Sequence, residues 1–432
     1  MRSLLLLLFR RIVAIYFRQV EVAGAVPTPA TGGRLFAANH VNALVDPILV
    51  LTQAPCAISP IAKSTLWKIP GLKWLLEAVD AVPIVRRRDD PGKSVEENAA
   101  VFERVAAHLA KGGNILIFPE GTSHNEPHLL ALRSGAGRML ERARVESHEL
   151  TFQAVALEFD ERDVFRSRSL ILFGPVRRVG GLDANAITEQ LRADLSELLV
   201  EGSTWEERVM VVRVAEMFAN DQKARTLENI NVLGRRIEEA RRVLSQTAPE
   251  TVSAIEAKLR DYLTKLDALE VTDEAVARIS HGGGIEIASD RLARAVAMIL
   301  TLPAAMIAFL VYFLPYQLPR LVTRKIGDDP DTSSTYKLGV GLVVYPVWAL
   351  LLIVLAFVEL RLSTASIATG LLLLSPFAAL PWLDRWDRLK GRLSLLIPSS
   401  KRKVKLEALA MQRGTLMKTL EAANASVPAT GT

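Results

Sequence analysis

Asn114-Ile115-Leu116-Ile117-Phe118-Pro119-Glu120-Gly121-Thr122 is an apolar run that stops at a proline, followed by an acid, a glycine and a hydroxyl. A short apolar run bounded by turn residues reads as a buried strand, and Pro119 ends it because proline cannot join a ladder. Immediately upstream, residues 94–111 (SVEENAAVFERVAAHLAK) read as a helix. Ser94 suits its N-cap, Glu96 and Glu97 its positive end, and Lys111 its negative end. Gly112-Gly113 then stops it. Other strands are expected at 34–38 (RLFAA), 82–85 (VPIV, with Pro83 suited to a strand end or an edge), 152–159 and 169–173. Strands joined by helical crossovers imply an α/β domain, a mostly parallel sheet flanked by helices, over residues 19–215. In such sheets sites lie beyond the carboxyl ends of the strands.

The rest of the chain changes character in steps. Residues 1–18 interleave Leu, Ile, Phe and Tyr with Arg10, Arg11 and Arg18. The unbroken apolar run is too short to span a bilayer, so an interfacial amphipathic helix on anionic lipid is expected rather than a removed signal peptide. Residues 216–290 are charged and apolar at helical spacing, with a break at Thr247-Ala248-Pro249, which predicts a helical hairpin. The His281-Gly282-Gly283-Gly284 run has no G-x-S-x-G partner in the sequence and reads as a linker. Residues 291–384 hold three apolar segments, 295–318, 338–360 and 363–383, each near the ~20 residues a transmembrane helix needs. Prolines 303, 315 and 319 mark the first as re-entrant or interfacial, leaving two crossings. The basic tail, 385–432, carries Arg385, Arg388, Lys390, Arg392 and Lys401–Lys403, which predicts a cytoplasmic C-terminus. Its last ~20 residues read as disordered.

The 432 residues allow two or three domains. Half are hydrophobic, and 53 Lys+Arg against 47 Asp+Glu give a net charge of +6. That surplus suits anionic lipid or phosphate-bearing substrates, whereas no nucleic-acid motif appears. The single cysteine, Cys56, excludes an intramolecular disulfide and reads as a small buried side chain.

Three segments carry candidate chemistry. His40 and Asp46, in Asn39-His40-Val41-Asn42-Ala43-Leu44-Val45-Asp46, follow the first buried strand. A neutral histidine can take a proton from an alcohol, and a carboxylate on its other ring nitrogen fixes the tautomer. Phe118, Pro119, Glu120, Gly121 and Thr122 make a shaped turn with free backbone N–H groups, suited to a phosphate or an oxyanion. Arg86-Arg87-Arg88, after the 82–85 strand, can grip phosphate through bidentate hydrogen bonds.

In this order the segments resemble the glycerolipid acyltransferases, the family of glycerol-3-phosphate and 1-acylglycerol-3-phosphate acyltransferases. The likeness covers about residues 19–200, and 118–122 match its F-P-E-G-T element in full. Leu129-Leu130, Arg133–Ala136, Phe165–Arg168 and Leu172–Pro175 continue it. The resemblance implies His40 as general base, Asp46 as its orienting partner, Arg86 as the acceptor-phosphate ligand, and Glu120, Gly121 and Thr122 as residues shaping the acceptor site. It implies no metal and no cofactor; acyl-CoA or acyl-carrier protein donates directly. The expected function is transfer of a fatty acyl group to a glycerol-phosphate-type hydroxyl, in phospholipid synthesis, from a membrane-bound domain on the cytoplasmic face. Its rivals are a non-catalytic lipid-binding scaffold and a lipid ester hydrolase. Three positions depart from the family: five residues rather than four separate His40 from Asp46, Asp80 stands where a glycine opens the arginine motif, and Ala154 replaces a proline. On a helix five steps turn a side chain ~140° and six turn it ~240°, so either spacing requires the pair to meet through a turn. His108, His124 and His128 read as solvated or structural, and no His/Cys/Asp cluster has metal-ligand spacing.

Overall fold

The computed structural model describes residues 1–27, 32–85, 94–145, 149–280, 289–326, 330–393 and 400–425. Arg86, with the rest of its arginine run, and the 281–284 glycine run lie outside the described residues. The chain divides into two compact units, Met1–Trp205 with Asp328–Thr335, and Glu206–Gly327 with Tyr336–Thr432.

The first unit is built on seven strands: β1 (Gln19–Gly24), β2 (Arg34–Ala38), β3 (Ser59–Lys63), β4 (Val82–Ile84), β5 (Asn114–Ile117), β6 (Thr151–Phe159) and β7 (Arg168–Arg178). Their order is β1-β7-β6-β2-β5-β3-β4, every neighbouring pair parallel except β6–β7. The sheet is the mostly parallel one that the crossovers imply. β1 and β3 are additions to the expected strands: β1 alternates polar with apolar at an edge, and β3 carries Pro60 and Lys63 instead of an apolar run. Helices α1 (Arg2–Tyr16), α2 (Val45–Gln53), α3 (Leu72–Ala78), α4 (Ser94–Ala110), α5 (Gly135–Ala143) and α6 (Ala184–Leu198) complete the unit. Every residue of β2 is buried, as a central strand covered on both faces requires. Leu35 and Ala37 join Val105, Leu109, Met139 and Leu140 in one core, while the Phe36 ring meets Phe173 edge-on at 6.3 Å. The register between β6 and β7 shifts around Ala154.

Leu5, Phe9, Val13 and Tyr16 of α1 recur every three or four residues and are buried, whereas Leu4, Leu7, Leu8 and Ile15 are exposed. Arg166 holds the end of this helix by donating to the carbonyl oxygens of Ala14, Ile15 and Phe17 at 2.8, 3.1 and 3.2 Å. A guanidinium there satisfies carbonyls that the last turn leaves open and complements the dipole.

The second unit is helical: α7 (Trp205–Gln222), α8 (Leu227–Thr247), α9 (Pro249–Ala268), α10 (Asp273–Ser280), α11 (Ser289–Ile326), α12 (Pro330–Glu359), α13 (Leu362–Leu393) and α14 (Ser400–Ala425), with Trp205 and the first residues of α12 belonging to the first unit. The expected hairpin is α8–α9, broken at Ala248. Two corrections apply. The expected boundary at residue 215 falls inside α7, and residues 413–425 of the tail expected to be disordered are helical. α14 folds because Leu409 and Leu416 share an apolar core with Met217, Leu259, Tyr262 and Val276 of α7, α9 and α10. Within that core Arg413, 1% exposed, donates to Asp273 Oδ1 and Oδ2 at 2.8 and 3.1 Å and to the Met217 carbonyl at 3.0 Å, and meets Asp221 at 2.8 Å.

Val296–Lys325, Thr332–Glu359 and Leu362–Trp386 are long and apolar enough to cross a membrane by length and composition. Leu300, Leu310, Val358 and Phe377 on them are each more than 70% exposed. Large apolar side chains exposed on such scale mark a surface made for lipid, and these helices associate the chain with membrane.

Candidate active site

β2 and β5 are parallel neighbours with Ala37 opposite Ile117. His40 and Glu120 each lie three residues beyond that pair, so the register alone brings the two motifs to one sheet edge. The His40 backbone N–H donates to Glu120 Oε1 at 2.6 Å, and the His40 carbonyl accepts from the His124 N–H at 3.2 Å. Upstream, Asn39 exchanges two hydrogen bonds with Leu157 of β6, Nδ2 to O at 3.1 Å and N to Oδ1 at 2.7 Å, which extends the ladder past the strand end. The residue carrying the histidine is thus held from both sides.

Asp46 lies in the first turn of α2 and is fully buried. Its Oδ2 stands 2.9 Å from His40 Nδ1 and accepts the N–H groups of Val41 and Asn42 at 2.9 and 2.7 Å. The turn between them closes through Val45 N to Asn42 O, with Ala43 at φ 36°. The six-residue step is therefore absorbed in a turn. A carboxylate accepting from Nδ1 selects the tautomer of a neutral imidazole in which Nε2 is the open acceptor. The Phe118 ring stacks on the imidazole at 4.1 Å and 23°, fixing its plane.

Glu120, also buried, accepts at Oε2 from the Leu130 N–H at 2.9 Å and lies 2.5 Å from His124 Nε2. His124 Nδ1 accepts from the Glu126 N–H at 3.1 Å, which puts the ring proton on Nε2, toward Glu120. Both Glu120 oxygens thus have protein partners. Pro119 accepts from Arg133 N at 2.8 Å, and Thr122 Oγ1 donates to the Ser123 carbonyl at 3.2 Å. Gly121 sits at φ 78°, a left-handed backbone that favours glycine, and a Cβ there would fall 2.6 Å from Arg133 Nε, so that this side chain would have to shift.

The structure unites His40, Asp46, Phe118 and Glu120, with Pro119, Gly121 and Thr122 forming the turn. His124, read as solvated or structural, packs its ring against Glu120; Arg162 escaped the sequence reading. Arg162 Nη1 donates to the carbonyls of Val41 and His124 at 3.1 and 3.2 Å, its Nη2 to Asn125 Oδ1, and its guanidinium lies 4.8 Å from the Trp205 ring centroid. A lone arginine beyond β6 carries no local signal of this role. Cys56 is half-buried, and burial pushes its thiol up, away from thiolate chemistry. Among the described residues no three His, Cys, Asp or Glu side chains gather as metal ligands.

Residues 19–157 match the Acyltransferase family model. The chain is 25% identical over 299 residues to glycerol-3-phosphate O-acyltransferase 2 of Saccharomyces cerevisiae, covering 60% of this chain and 39% of that protein. It is 32% identical over 125 residues to a lyso-ornithine lipid O-acyltransferase of Pseudomonas aeruginosa, covering 29% of this chain and 42% of that protein. It is 26% identical over 126 residues to the chloroplastic 1-acyl-sn-glycerol-3-phosphate acyltransferase LPAT1 of Arabidopsis thaliana, covering 29% and 33%. The chain thus spans less than half the length of each of these relatives.

Proposed function

We propose that this chain, whose residues 19–157 match the Acyltransferase family model, transfers a fatty acyl group from a thioester donor, acyl-CoA or acyl-carrier protein, to the hydroxyl of a glycerol-phosphate-type lipid precursor. The observation that carries this reading is the His40–Asp46 pair, with Nδ1 committed to a buried carboxylate and Nε2 left as a base. The acceptor hydroxyl gives its proton to Nε2 as its oxygen attacks the thioester carbonyl. The tetrahedral intermediate collapses, the C–S bond breaks, and the imidazolium returns the proton to the departing thiolate. Asp46 stabilises the imidazolium in between, and no acyl-enzyme forms. Arg86 is the residue proposed to hold the acceptor's phosphate, on the cytoplasmic face of the membrane. The relatives are named for three different acceptors, and glycerol-3-phosphate and its 1-acyl form are the two we favour from the motif order.

Membranes carrying the chain, given labelled oleoyl-CoA with each acceptor separately, are expected to yield product with one of them. His40→Ala is expected to lower that rate ~10²–10⁴-fold. No product with either acceptor, and none with acyl-carrier protein as donor, would defeat the proposal.

A further inference from the structure

The first turn of α12 opens the apolar stretch Thr332–Glu359, yet its residues up to Thr335 belong to the same compact unit as the sheet. Thr335 Oγ1 accepts the Leu44 N–H at 3.0 Å, across 291 residues of sequence. Leu44 is the N-cap of α2, one residue after the left-handed Ala43 and two before Asp46. Its N–H lies at a helix start, where donors have no partner inside the helix. Next to it Ser334, fully buried, donates from Oγ to the Arg162 carbonyl at 2.6 Å and accepts from the Tyr16 hydroxyl at 2.9 Å. The same Arg162 carbonyl accepts from Asn42 Nδ2 at 3.0 Å, and the Arg162 guanidinium holds the Val41 and His124 carbonyls. Three of the five residues between His40 and Asp46 are therefore tied to Thr335 or to the Arg162 that Ser334 holds.

We infer that Ser334 and Thr335 are positioning residues of the catalytic turn: the first residues of α12, which belong to the same unit as the sheet, brace the loop that sets His40 against Asp46. This rests on the acyl-transfer reading for its effect on rate, but the brace itself is independent of any activity. The left-handed conformation at Ala43 is one that a non-glycine residue holds only when its surroundings impose it, and the Leu44–Thr335 bond lies on the next residue. Thr335 supplies a hydroxyl acceptor where valine, of the same shape, supplies none.

The test uses the full chain in membranes, with Thr335→Val, Ser334→Ala, Thr335→Ser and His40→Ala. Thr335→Val is expected to lower kcat about 10–100-fold, the scale of a small misplacement of a reacting group, with KM changed less than about threefold; Thr335→Ser restores most of it. Independently, amide exchange in a peptide spanning 41–46 is expected to quicken about tenfold in Thr335→Val and not in Thr335→Ser, while β5 and β6 stay protected as a check on folding. Unchanged exchange in both Thr335→Val and Ser334→Ala overturns the brace, whatever the activity shows. A kcat within twofold of the parent in Thr335→Val, when His40→Ala abolishes transfer, overturns the catalytic half of the inference. If His40→Ala leaves transfer intact, the acyl-transfer reading falls and the exchange result alone judges the brace.

Discussion

Both units bury charge, and they treat it in opposite ways. In the helical unit Arg413 is surrounded by Asp273, Asp221 and the Met217 carbonyl, while Asp273 also accepts from the Tyr262 hydroxyl at 2.6 Å and Asn220 Nδ2 at 2.8 Å. The Arg413 donors and both Asp273 oxygens all face protein partners. The cluster ties α7, α9, α10 and α14 into one body and has no group left over for chemistry. The Tyr262 hydroxyl is driven well above its ordinary value by burial first, then by Asp273 beside it; it stays a donor at every pH the protein meets. In the sheet unit, Asp46 and Glu120 are buried and each accepts one hydrogen bond from His40, Glu120 from its backbone N–H and Asp46 from its Nδ1, while their other bonds hold the turns around it. A network whose cation is enclosed by carboxylates makes a scaffold; one that leaves a histidine ring nitrogen unengaged makes a candidate base.

The sharpest way to break this contrast is Asp46→Asn. An amide can donate to Nδ1, which moves the imidazole proton to Nε2 and removes the base, so acyl transfer is expected to fall ~10²–10⁴-fold. Thermal unfolding of the unit is expected to shift far less. A variant that kept its rate would end the claim that tautomer control matters here. Arg413→Met should do the reverse: it removes the buried cation that the half-buried Asp273 and Asp221 share, at a cost of up to ~3 kcal/mol. Denaturant titration followed by proteolysis of α14 reads that loss, and a neutral result would mean the cluster is dispensable packing. Glu120→Gln keeps an acceptor for His40 but turns an N–H toward His124 or Leu130, an expected ~1–3 kcal/mol; stability and kcat should fall together. Arg166→Ala, the mildest, removes three bonds at the end of α1, about 1 kcal/mol, and should expose residues 14–17 to protease without altering the melting of the sheet.

Much of the site was legible in order along the chain. His40, Asp46 and Phe118–Thr122 follow buried strands and announce themselves by residue type, because a strand end followed by Pro, Gly and an acid has few bland uses. The mostly parallel sheet was legible for the same reason, since apolar runs alternated with amphipathic helices. The apolar stretches of α11, α12 and α13 were visible as composition.

What the sequence by itself determined, then, is which residues are candidates for acid–base chemistry and which strands present them. Only the tertiary structure decided how they are held. The Ala37–Ile117 register aligns His40 with Glu120, and His124, Arg162 and Thr335 reach the loop across long stretches of sequence, up to 291 residues, with Ser334 holding Arg162. A local pattern cannot show this. A hydroxyl or guanidinium has the same appearance in a chain whether it faces water or closes a loop, and that choice is made when distant backbone groups are buried and must find a partner. The helix of residues 400–425 makes the point a second time: a basic, Ala-rich stretch becomes α14 because Leu409, Arg413 and Leu416 find a core and two carboxylates prepared by α7 and α10.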